Sequence, residues 1–165
     1  GIFYDICDNL GVTISVVRGY PSITMLKDAA DRFNRQKRDR DCVMLYFGDM
    51  DPSGQDIPRH ILETLQDEFG CRLEQIKCAI TADQIEEYNI PPMPAKESDA
   101  RYNKFVEEHG DVAVELDAID PDNLTTIIED SINEHFDEDL YNEHQETTLE
   151  DARKSIQKKV TGVLK

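Results

Sequence analysis

Two carboxylates, Asp49 and Asp51, stand two residues apart in the run Tyr46-Phe47-Gly48-Asp49-Met50-Asp51-Pro52-Ser53-Gly54, immediately after the apolar stretch Cys42-Val43-Met44-Leu45-Tyr46-Phe47. If the backbone leaves extended geometry between them, as Pro52 and Gly54 encourage, both can turn toward one point. Paired hard oxygen donors of this kind suit Mg2+ or Mn2+, which binds through one or two protein carboxylates, keeps several waters and takes phosphate oxygens as further ligands. The competing reading is a solvated turn in which the aspartates cap a helix.

A second acidic pair, Glu115 and Asp117, ends the strand-like run Val112-Ala113-Val114-Glu115-Leu116. If that strand ran parallel to the one before Asp49, the pair would share an edge with Asp49 and Asp51 and could complete a metal site, because open α/β sheets bind ligands at the carboxyl ends of their strands. Helix capping by Asp117 or Asp120 is the alternative. Cations are also unevenly placed. Lys27, Arg32, Arg35, Lys37, Arg38 and Arg40 crowd one segment, and Lys96 and Arg101 flank a proline-rich loop. Arg32, Arg35, Arg38, Lys96 and Arg101 are the candidate DNA contacts, to be weighed against a solvated helix face. His60, His109, His135 and His144 lack metal-ligand spacing. His60 lies one helical turn from Asp56, where a supporting role beside the acidic motif competes with a plain surface pair.

Positioning these residues requires alternating elements. Ile2, Phe3, Ile6 and Leu10 have helical spacing and stop at Gly11, and the β-branched run 12–17 reads as a strand. Ser22 caps a helix bearing Ile23, Leu26, Ala29, Ala30 and Phe33. The apolar run 42–47 reads as a central strand covered on both faces, followed by a helix through Ile57, Ile61, Leu62, Leu65 and Phe69. A weaker strand at 76–80, a Thr81-capped helix, a proline loop over 89–96, a helix over 100–108, the strand at 112–116 and a helix after Pro121 complete the pattern. Strand and helix alternation predicts a mostly parallel central sheet flanked by helices.

The run Leu45-Tyr46-Phe47-Gly48-Asp49-Met50-Asp51-Pro52-Ser53-Gly54 resembles the Asp-x-Asp-Pro-x-Gly motif of Toprim domains, specifically those of the topoisomerase VI A subunit and its relatives. Ile14-Ser15-Val16-Val17-Arg18-Gly19-Tyr20-Pro21 resembles the segment preceding that motif, so the likeness covers roughly residues 1–65. The distal half, through Thr81 to Lys96, Asp99-Ala100-Arg101 and residues 114–119, resembles uncharacterised Toprim-like proteins. The resemblance implies a Rossmann-like Toprim fold, Asp49 and Asp51 as the metal pair, and Mg2+-dependent cleavage or strand transfer at DNA phosphodiesters. It also implies a catalytic glutamate at the end of an earlier strand. No residue here matches it, and with residues 2–10 as the intervening helix it is expected before Gly1, in a larger protein.

The bulk composition bounds these readings. The 165 residues are 39% hydrophobic and 32% charged, with no apolar run long enough for a membrane span, so a cytoplasmic protein without a membrane partner is expected. The expected organisation is a Toprim-like α/β domain over 1–136 and an acidic linker with a C-terminal helix over 137–165. Ile156, Val160 and Leu164 on that helix make a homo-oligomer or a partner subunit plausible. Thirty-five acidic against 18 basic residues give a formal charge of −17, which opposes indiscriminate attraction to nucleic acid. That charge supports an alternative, a non-catalytic Toprim-fold module binding DNA, nucleotide or a partner. A third reading is a haloacid dehalogenase-like phosphatase with Asp49 as nucleophile, but Pro52-Ser53-Gly54 departs from its pattern. The four cysteines are too dispersed for a zinc site and read as structural thiols.

Overall fold

The computed structural model describes residues 1–36 and 41–163. They divide into two compact units, Gly1–Ile132 and Asn133–Lys165. The first is a mixed α/β unit whose regular sheet, among the described residues, is one parallel pair of strands. β1 (Val43–Phe47) pairs with β2 (Glu74–Ala79), with a register shift after Tyr46. Gly48 prolongs the ladder: its N–H donates to Ala79 O at 2.8 Å and its carbonyl accepts from Ile80 N–H at 2.7 Å.

Helix α1 (Ile2–Asn9) sets Phe3 edge-on to Phe47 at the end of β1, with ring centroids 5.1 Å apart. Helix α2 (Ile23–Gln36) is capped by Ser22, whose Oγ accepts from Met25 N–H. Its Leu26 and Ala30 pack with Ile57, Ile61 and Leu65 of the α3 segment and with Cys71, against Met44 and Tyr46 of β1. Each buried Leu or Ile of this set contributes about 1.5–3 kcal/mol. Ile23, expected on this face, is instead exposed.

Helix α3 (Pro52–Glu63) continues into a π-helical turn, Thr64–Glu68. After β2, Thr81 and Gln84 form a reciprocal capping box at the start of α4 (Ala82–Glu87), as the sequence predicts. Helix α5 (Tyr102–His109) follows the proline loop. Helix α6 (Pro121–Asn133) buries Leu124, Ile127, Ile128 and Ile132, the four positions expected of it. In the second unit α7 (Glu138–Val163) is a single helix that includes the acidic stretch read as a linker, with the Phe136 and Tyr141 rings 5.1 Å apart at its start. The side chains of Ile156 and Val160, and Leu164 altogether, lie outside the described residues.

Two expected strands do not form. Residues 12–17 carry no regular secondary structure, and Val16 is 74% exposed. A β-branched run becomes a strand only with a neighbouring ladder to join, and none is built beside it. Residues 112–116 contribute two isolated antiparallel bridges, Ala113 with Met93 and Val114 with Met50, because loop residues occupy their hydrogen-bonding groups. Among the described residues no helix is long and apolar enough to cross a membrane.

Candidate functional site

The acidic motif occupies the passage from β1 to α3, and its backbone explains its composition. Asp51 is the N-cap of α3: its Oδ1 accepts from Gly54 N–H at 2.6 Å, and Pro52 takes the first helical position, where no N–H is needed. Gly54 passes so close to the preceding chain that a Cβ there would lie 2.1 Å from the Asp49 carbonyl oxygen. Met50 is buried and exchanges both backbone hydrogen bonds with Val114, at 2.8 and 2.9 Å. That bridge carries the next residues of the distal segment to the motif, and Leu116 N–H donates to Asp49 Oδ1 at 2.7 Å.

Asp49, Asp51 and Glu115 therefore line one cavity of about 130 Å3, together with Ser53, Lys96 and Asp99. Asp49, Glu115 and Asp117 also border an open depression of about 390 Å3 walled by Phe3, Leu116 and Leu124. Glu115 comes to the cavity of Asp49 and Asp51 through an antiparallel bridge, not through the parallel strand on which the sequence argument depended. Capping falls to Asp120, whose Oδ1 accepts from Asp122 N–H at 3.0 Å at the start of α6.

The donor set fits a hard divalent cation. Asp49 and Asp51 each use one carboxylate oxygen on a backbone N–H, and the second oxygen of each has no hydrogen-bond donor among the described residues. Among those residues no three His, Cys, Asp or Glu side chains form a ready-made ligand group. Two carboxylates completed by water and phosphate are what Mg2+ commonly takes.

Two neighbours escaped sequence reasoning. Lys77 opposes Tyr46 across the ladder and its Nζ lies 3.4 Å from the Asp49 carbonyl oxygen. Burial pushes its amine down to about 8, against the opposing pull of Asp51 and Asp49. The Tyr46 hydroxyl is pushed up to about 12, first by burial and then by Asp49 and Asp51. A lysine in the middle of Ile76-Lys77-Cys78-Ala79-Ile80 was the available signal.

The candidate DNA contacts separate. Arg38, with Lys37 and Arg40, lies outside the described residues. Arg35 is exposed, while Arg32 donates to Ser15 Oγ at 3.3 Å. Arg101 is committed inside the protein. Its Nε donates to Asp99 Oδ1 at 2.8 Å, and Nη2 to Asp99 Oδ2 and Ser53 Oγ at 2.9 and 3.1 Å. Nη1 donates to Asp56 Oδ2 at 3.3 Å and to the Tyr20 hydroxyl, which itself donates to Asp56. These contacts use all five guanidinium donors. Arg101 holds the Asp99 carboxyl down to about 2. Asp56 is thus a partner of Tyr20, Arg59 and Arg101, and His60 stacks edge-on against Tyr20, centroids 5.3 Å apart. The substitution Arg101→Ala is expected to lower stability by about 1–2 kcal/mol in urea melts.

Cys7, Cys71 and Cys78 are buried, in line with structural thiols, whereas Cys42 is only half-buried. Comparison with family models, with curated proteins and with solved structures returned no match.

Proposed function

We propose that this chain is a Toprim-like, metal-dependent domain that works on DNA phosphodiesters in the cytoplasm, with β1 and β2 as the described pair of a Rossmann-like sheet. The observation that supports this reading is the convergence of Asp49, Asp51 and Glu115 on one cavity beyond the carboxyl end of β1. Asp49 and Asp51 would hold Mg2+ or Mn2+, and the ion would supply Lewis-acid polarisation of a phosphoryl oxygen. The residues themselves fix the carboxylates: Gly54 and Leu116 N–H groups hold one oxygen of each, and the other has no hydrogen-bond donor among the described residues.

A second reading is a non-catalytic module. It is favoured by the structural duties of the same two side chains, since an N-cap and a tether for Leu116 account for both without an ion.

Asparagine separates the two readings, because its side-chain oxygen keeps the cap and the tether while its charge is gone. The Asp49→Asn/Asp51→Asn double variant should fold like the parent and lose Mn2+ binding, followed by the electron paramagnetic resonance of free Mn2+. The parent, but not the variant, should gain about 2.7 kcal/mol of stability at a metal concentration a hundred times its dissociation constant. Equal Mn2+ affinity in both proteins would overturn the metal assignment.

A further inference from the structure

Three cations stand near the acidic pair, and two have other work. Arg101 spends every donor on Asp99, Ser53, Asp56 and Tyr20. Lys77 lies against the Asp49 carbonyl within the sheet layer. Lys96 is different. Its side chain is exposed, lines the cavity that holds Asp49, Asp51 and Glu115, and makes no ion pair among the described residues.

The backbone that carries Lys96 is nonetheless held on both sides. Met93 exchanges two hydrogen bonds with Ala113, at 2.9 and 2.7 Å, and Ala95 N–H donates to Asp111 Oδ1 at 2.9 Å. Downstream, Asp99 N–H donates to Lys96 O at 3.0 Å, and Asp99 is itself gripped by Arg101. With the loop already fixed, meeting an anion orders only the Lys96 side chain and not the backbone that carries it. Beside carboxylates, an unpaired lysine suits a ligand that brings negative charge once a cation has neutralised the acids.

At about 130 Å3 the cavity has room for a phosphoryl group. We infer that Lys96 forms a phosphate subsite with the acidic pair, gripping a phosphoryl group of a nucleic-acid backbone without reading its sequence. Arg101 is the positioning residue for this subsite: it fixes Asp99 and Ser53, and through them the loop that presents Lys96. This inference rests on the metal reading of Asp49 and Asp51, and its test keeps the two apart.

The test measures Mn2+ binding and anion binding on the same samples of the full chain. The anions are inorganic phosphate and a ten-residue oligothymidylate without terminal phosphates. In saturating Mn2+, Lys96→Ala should weaken oligothymidylate binding about tenfold or more, Lys96→Arg should restore most of it, and Mn2+ affinity should stay as in the parent. Loss confined to inorganic phosphate would overturn the backbone assignment in favour of a free phosphate. Unchanged binding of both anions by Lys96→Ala, or no anion binding by a parent that does bind Mn2+, would overturn the subsite and leave the metal reading standing. A parent that takes up no Mn2+ would sink the metal reading and with it the subsite, whether or not an anion binds.

Discussion

Replacing Gly54 by alanine is expected to destabilise the protein by about 3 kcal/mol or more and, on the metal reading proposed above, to abolish Mn2+ binding. An added Cβ would sit 2.1 Å from the Asp49 carbonyl oxygen and 2.9 Å from its carbonyl carbon, both backbone atoms with no rotamer through which to retreat. Overpacking of this kind costs about 1–3 kcal/mol where side chains can shift, and more where they cannot. The only relief is to move the first turn of α3 away from the end of β1. That movement would break the Gly54 N–H bond to Asp51 and pull Asp49 away from Leu116. Urea melts and Mn2+ titration of Gly54→Ala check both parts, and a variant as stable as the parent would mean that the close approach is not maintained in solution.

Lys77 should make stability rise with pH across an unusual window. Its amine is pushed from the ordinary 10.5 down to about 8. Between those values the folded chain has released the proton and the unfolded chain still holds it, so unfolding takes up a proton and stability increases as pH rises from 8 to above 10.5. Below 8 both states are charged and the full burial penalty remains. The whole shift corresponds to roughly 3 kcal/mol, which partial exposure of the side chain reduces to about 1–2. Lys77→Met should therefore be more stable than the parent near pH 7, by about 1 kcal/mol, and should lack the alkaline rise. Paired urea melts at pH 7 and pH 10 measure this, and parallel responses of the two proteins would refute the burial of the charge.

The legible parts of this fold were those decided by local chemistry. The apolar run before Asp49, the Thr81–Gln84 capping box and the 3.6-residue spacing of Leu124, Ile127, Ile128 and Ile132 each specify their element within a few residues. Residues 12–17 have the composition of a strand, but a ladder needs a partner and composition cannot supply one. The run 112–116 failed for the opposite reason: its partners exist, yet they are Met50 and Met93, single loop residues in the opposite direction. The meeting of Glu115 with Asp49 and Asp51 was anticipated on a parallel-strand argument and arises from that antiparallel bridge.

Within the site, residue type marked both Lys96 and Arg101 as phosphate contacts, because each is a cation beside a proline loop. Only the location of acceptors separates them. Asp99 lies two residues from Arg101, whereas Ser53, Asp56 and Tyr20 lie 48, 45 and 81 residues away in sequence, too far for local reading. Gly54 could be seen as a turn former, but its close approach to Asp49 is a fact of packing. Lys77 was visible as a charged interruption in an apolar strand and had no assigned place until β1 and β2 were paired.

The hydrogen bond from Leu116 to Asp49 joins residues 67 positions apart. Closing so long a loop is slow to find and only slightly dearer than closing a short one, since each doubling of length adds about 0.6 kcal/mol. The acidic cavity should accordingly assemble late in folding, after the local helices and the β1–β2 pair. An ion shared by Asp49 and Glu115 would then act as a removable staple across that loop, strengthening the last part of the chain to arrive.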